Sequence, residues 1–146
     1  MGHEVLMYGV IVGAHRRSGE DFRSLYPRNA KVIESLPSDD DHPWVDRSIF
    51  AMPGDYPNGT YRSQAIHFGL TMKDDPYDLD ALIAEWLSKF ERVLSQLYWF
   101  SATLHVVRDF PGGGTYQWSP TDESLAGLLE DPPKPISNWQ RTFRPG

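Results

Sequence analysis

Every residue from Val5 to Val12 except Gly9 is hydrophobic. A run this unbroken predicts a strand covered on both faces or lying near the centre of a sheet. A second extended run, Val45 to Met52, leads through "PGDYPNGT" into a third, Arg62 to Met72. The Asn58-Gly59 pair suits a tight turn, so these two runs read as a hairpin with an irregular connection. Within the third run Ile66, Phe68, Leu70 and Met72 fall on one face, and Ser63, His67, Gly69 and Thr71 on the other. Alternation returns after the middle of the chain, where Phe100, Ala102, Leu104 and Val106 interleave with Ser101, Thr103 and His105. That period of two marks a strand with one buried face. Pro111 and the glycines Gly112 to Gly114 predict a reversal, and "TYQW" a partner strand whose Tyr116 and Trp118 oppose Thr115 and Gln117.

Helical spacing separates these strands. The clearest case is "DPYDLDALIAEWLSKFERVLSQLYW", where Leu79, Leu82, Ile83, Trp86, Leu87, Phe90, Leu94 and Leu97 form one stripe. The acidic first turn, with Asp78 or Asp80 as cap, suits the positive end of the helix dipole. A rod of roughly 28 Å results, long enough to cross several strands. An earlier helix is predicted from a capping-box-like start at Ser18 and Asp21, through a break near Pro27, toward Leu36. A short third helix is predicted after Ser119 as cap and Pro120 at the first helical position. Residues 131–146 read as an extended, proline-rich, basic tail, attached to the body through Trp139 or Phe143. The expected fold is one α+β domain over residues 1–146, with an antiparallel-rich sheet of about five strands and the long helix packed across one face.

Composition narrows the chemistry. The 146 residues include no cysteine, which excludes disulfides, thiolate metal sites and a Cys nucleophile. The first apolar run is too short to cross a bilayer and lacks a basic leader, so a cytoplasmic protein is expected. A net charge of −6 opposes general affinity for phosphate backbones and favours a basic protein partner. The basic early segment and basic tail are the only features that speak for nucleic acid.

Catalytic motifs are sparse. The glycine run lacks the Lys and Ser or Thr of a P-loop, and "GVIVG" lacks dinucleotide-fingerprint spacing, so no cofactor is implied. "DDDH", Asp39 to His42, offers oxygen ligands but no recognised metal spacing, and reads as a solvated acidic loop. No metal site is assigned. Strand parity places Ser63, His67, Thr71, Ser101, Thr103, His105, Thr115 and Gln117 on polar faces. Were the two histidine-bearing strands neighbours, that face would form a ligand or partner surface, or an enzyme site with His67 and His105 as acid, base or metal ligand. Arg16 and Arg17, before a helix start, are candidates for anion binding. Trp44 and Trp99 read as packing residues.

The stretch "YGVIVGAHRRSGEDF", followed by "DDDHPW", resembles predicted immunity proteins of bacterial polymorphic toxin systems. The resemblance spans Tyr8 to Trp44 and implies a small, acidic α+β inhibitor that binds a cognate toxin without a cofactor. It assigns no binding residues. Two readings therefore leave the sequence: a non-catalytic protein-binding module, and a small enzyme built on His67 and His105.

Overall fold

The computed structural model describes residues 3–14, 25–52, 65–74, 79–108 and 113–146. Six strands, β1 (His3–Gly13), β2 (Phe50–Ala51), β3 (Ala65–Asp74), β4 (Trp99–Arg108), β5 (Gly114–Pro120) and β6 (Trp139–Pro145), form one sheet in the order β2-β3-β1-β4-β5-β6. Every neighbouring pair is antiparallel. Three α-helices are described with them: α1 (Leu25–Ser35), α2 (Leu79–Leu94) and α3 (Asp122–Gly127). The α+β class is as expected, with six strands in place of about five.

Strand parity sorts the sheet into two faces. Val5, Met7 and Ile11 of β1, Ile66, Phe68, Leu70 and Met72 of β3, Ala102, Leu104 and Val106 of β4, and Trp118 of β5 are buried on one side. The stripe of α2 supplies Ile83, Trp86, Leu87, Phe90, Val93 and Leu94 to the same core. The ring of Phe90 lies 4.8 Å from Phe68 and 5.1 Å from Trp118, and stacks on Trp86 at 5.0 Å. One helix residue thus touches rings from β3 and β5, which bracket β1 and β4.

Several elements depart from the sequence reading. The Val45–Met52 run makes only two residues of strand, preceded by a 3₁₀ turn over Arg47–Ile49 that Asp46 caps through the Ser48 N–H. A turn-forming side chain has outcompeted the ladder there. Gly114 belongs to β5 and pairs with Val106 and Pro145, while Gly112 lies outside the described residues. A side chain on Gly114 would meet the Phe143 ring at 2.5 Å, so this glycine makes room for a neighbouring strand as well as following a turn. The cap of α3 is Thr121, whose hydroxyl accepts from the Ser124 N–H at 3.3 Å. Ser119 and Pro120 stay in β5 because β6 pairs with them. The expected tail contains β6 itself. Pro27 sits in the first turn of α1, where the missing N–H leaves no helical bond unmade. The start proposed at Ser18, the Asn58-Gly59 turn and Asp78 lie outside the described residues.

Polar side chains tie α1 and the sheet end together. Asn29, 1 % exposed, donates to the Tyr98 carbonyl at 2.9 Å and accepts from the Tyr98 N–H at 2.8 Å. The side chain acts as a short piece of strand, next to the Ala14 N–H that shares the same carbonyl. Replacing Asn29 with Ala leaves the Tyr98 N–H buried without this acceptor. We expect a loss of about 1–3 kcal/mol in chemical denaturation. Gly9 sits beneath Phe68, and an added Cβ would lie 1.9 Å from the Thr103 carbonyl oxygen and 2.7 Å from the Phe68 ring. Gly9→Ala is expected to cost about 1–3 kcal/mol or more from overpacking. Gly69→Ala on the opposite face, where the nearest atom is 3.6 Å away, serves as the tolerated control in the same unfolding series.

Candidate functional site: the open face of the sheet

The face turned away from the Phe90 cluster is the surface on which the sequence-predicted residues meet. Its axis is β1, the strand expected to be covered on both faces or to lie near the centre of a sheet. The central position is as expected, but Leu6 is 40 % and Tyr8 45 % exposed, and Val107 beside them in β4 is 48 % exposed. Leu6 and Val107 are direct cross-strand partners. Val10 and Val12 continue the strip, half-buried. The run is unbroken in sequence because its alternate members serve two different surfaces.

Polar groups frame this strip. His67 and Thr71 of β3 are exposed on one flank, and Ser101, Thr103 and His105 of β4 are half-buried on the other. Gln117 and Thr115 of β5 lie beyond, opposite Thr103 and His105, with Thr142 and Arg144 of β6 next in the same rows. His105 is held in place: Nδ1 lies 3.0 Å from the Thr115 hydroxyl, and the imidazole packs 5.0 Å from the Tyr8 ring. Ser63, Arg16 and Arg17 fall outside the described residues.

The strand order decides the histidine question. β1 lies between β3 and β4, so His67 and His105 are not on neighbouring strands. His67 faces Val10, which faces Thr103, whereas His105 faces Tyr8. Two strand spacings and a two-residue offset put the Cα atoms about 12 Å apart. Side chains stand roughly perpendicular to a sheet, and the His105 ring bonds to Thr115 of β5, on the side of β4 away from His67. Among the described residues no group of three or more His, Cys, Asp or Glu side chains is placed to hold a metal.

Asp39, Asp41 and His42 are exposed, as expected of a solvated acidic loop, while Asp40 is half-buried and held. The Asp40 carboxylate accepts from the Val45 N–H at 3.0 Å and from Lys89 Nζ at 3.1 Å. Lys89, on α2, also donates to the carbonyls of Asp41 at 3.0 Å and Pro43 at 2.9 Å. Its ammonium therefore takes one carboxylate of the acidic run together with two backbone carbonyls of the loop. Trp86 adds an indole bond to the Trp44 carbonyl at 3.1 Å, fastening the loop to α2 a second time. Trp99 is wholly buried and donates to the Leu94 carbonyl at 2.9 Å. Both tryptophans pack, as their sequence context predicts.

Searches of family models, of curated proteins and of solved structures found no match for this chain. No helix among the described residues is long and apolar enough to cross a membrane.

Asp40 offers a pH test of the loop. The Val45 N–H holds its carboxyl below the ordinary value of 3.8; burial opposes this, and Lys89 adds to the lowering. A folded-state value below the unfolded one contributes stability that is full above the unfolded value and disappears as pH falls through the folded one. Asp40→Asn is therefore expected to be less stable than the native chain at pH 7. The two should converge in urea titrations as pH falls below 3.8 and through the lowered folded-state value.

Proposed function

We propose that this chain is a non-catalytic, cytoplasmic protein-binding module whose docking surface is the open face of its sheet, and that it serves as an immunity-type inhibitor of a bacterial toxin. In this reading α2 lies across the inner face and holds the sheet flat behind the docking surface. The observation that carries it is the exposure of Leu6, Tyr8 and Val107 together at the centre of the sheet. Large apolar side chains grouped on one face and rimmed by hydroxyl, amide and imidazole groups have the composition of an interface centre with a polar rim. Tyr8 supplies the aromatic anchor, already braced by His105. The net charge of −6 selects a basic polypeptide as partner, because complementary charge speeds encounter and suppresses wrong pairings. The resemblance of Tyr8 to Trp44 to predicted immunity proteins points to a toxin as that polypeptide. Separation of His67 from His105 removes the specific support for the enzymatic alternative.

The test is affinity capture from the source cell with the native chain and with a Leu6→Asn/Tyr8→Asn variant as baits. Both positions are exposed, so the unfolding midpoint of the variant should stay close to that of the native chain. The native bait is expected to retain a basic polypeptide that high salt releases, and the variant to lose at least about tenfold of it. Equal retention by a folded variant, or no specific retention by the native chain, overturns the proposal.

A further inference from the structure

Among the described residues β6 ends the sheet, and no described strand pairs with its outer edge. Two bonds flank the β5–β6 ladder: the Gly146 N–H donates to Gly113 at 2.9 Å, and the Thr121 N–H donates to Asn138 at 3.1 Å. Antiparallel bonding alternates, so Arg144, Thr142 and Gln140 are the β6 residues that bond to Thr115, Gln117 and Ser119 of β5. The N–H and C=O groups of Arg141 and Phe143 consequently point away from the sheet. The two ends of the strand present no free donor. Trp139 N–H is taken by the Asn138 side chain at 3.1 Å, and Pro145 has no N–H to give. An outward-facing ladder site therefore exists over the middle of the strand and is closed at both ends.

We infer that this edge pairs with the same edge of a second copy, antiparallel and centred on Thr142, so that the sheets of two chains become continuous. Thr142 is the midpoint of Trp139–Pro145, and this register is the one that overlaps all of β6 with all of its mate. Arg141 then bonds through both backbone groups to Phe143 of the second copy, and Phe143 to Arg141. Trp139 meets Pro145 of the second copy, where neither backbone N–H needs an acceptor.

Side chains agree with that register. Charged edge residues usually discourage strand pairing, and a register centred on Arg141 would set guanidinium against guanidinium. Centred on Thr142, Arg141 lies beside the aromatic ring of Phe143 from the second copy, and Arg144 lies beside Gln140. Phe143 is 46 % exposed and rests on Tyr116 at 4.6 Å, which leaves ring surface for a guanidinium to cover. Arg141 is anchored to Glu91 of α2 at 3.3 Å with its side chain 42 % exposed, so the cation is already positioned at the edge. The pairing does not use Leu6, Tyr8 or Val107, and it leaves the docking face of each copy free.

The absence of cysteine makes the register directly readable. Thr142 faces its own copy across the axis at a non-hydrogen-bonded position, where Cα atoms lie about 4.5 Å apart, within the span of a disulfide. A Thr142→Cys variant of the full chain is oxidised with copper phenanthroline, and the fraction migrating as dimer on a non-reducing gel is compared with that of Gln140→Cys. In the inferred register residue 140 faces residue 144, not its own copy. Thr142→Cys should cross-link at least about tenfold more than Gln140→Cys at equal concentration. Sedimentation equilibrium of the unmodified chain should show a concentration-dependent dimer. A purely monomeric sedimentation profile, or cross-linking of Gln140→Cys as efficient as that of Thr142→Cys, overturns the inference.

Discussion

The aromatic cluster centred on Phe90 is the contact on which the rest of the molecule depends. Phe68, Trp86 and Trp118 surround it, and they come from β3, α2 and β5. Rings of this size remove large apolar areas from water and prefer tilted or offset contacts at these distances. By joining strands on either side of β1 and β4 to a single helical residue, the cluster makes one face of the sheet the interior. The other face is left for water or a partner. The same crowding demands a residue without a side chain at Gly9, beneath Phe68.

Around this apolar centre, a small set of polar side chains fixes how the layers meet. Oε2 of Glu91 accepts from the indoles of Trp118 at 2.8 Å and Trp139 at 3.3 Å, and from Arg141 at 3.3 Å. A single carboxylate thereby ties α2 to β5 and to the last strand. Lys89, two residues earlier, gathers the loop before the 3₁₀ turn, and Asn29 joins α1 to the start of β4. Each of these groups is charged or amide-bearing and partly or wholly removed from water. Their bonds run to backbone groups and to the side chains of Asp40, Trp118, Trp139 and Arg141, as buried polar groups require. Such bonds are directional, and they specify an arrangement that apolar packing alone would leave loose.

The proposed docking surface follows from what this scaffold leaves uncovered. β1 contributes to the core through Val5, Met7 and Ile11, and to the outside through Leu6 and Tyr8. A strand with one solvated face ordinarily carries polar residues there. The departure from that pattern at the sheet's centre, with hydroxyls and imidazoles displaced to the flanking strands, motivates a docking role in preference to a catalytic one. His105 takes part as a brace for Tyr8, and His67 lies on the other side of the apolar strip, on β3.

Local periodicity was enough to determine the inner faces of β3 and β4, the β4–β5 hairpin and most of the α2 stripe, though Val93 joins it and Leu97 lies beyond the helix end, because a period of two or of 3.6 reports directly which side chains share a side. It identified His67, Thr71, Ser101, Thr103, His105 and Gln117 as outward-facing for the same reason. It was silent on strand order, since no local signal records that β1 inserts between β3 and β4, and that insertion alone separates the two histidines. Nor did it find Leu6, Tyr8 and Val107, because an apolar residue has the same signature whether it meets a helix or a partner. The parity of Leu6 and Tyr8 against Val5 and Met7 was present in the chain, but only the placement of Phe90 decided which set faced inward. Glu91, Lys89 and Asn29 carry no local signal of their roles, because their partners lie up to 69 positions away in the chain. Long-range pairing is a property of the folded arrangement, and so tertiary structure decided the site while sequence decided its pieces.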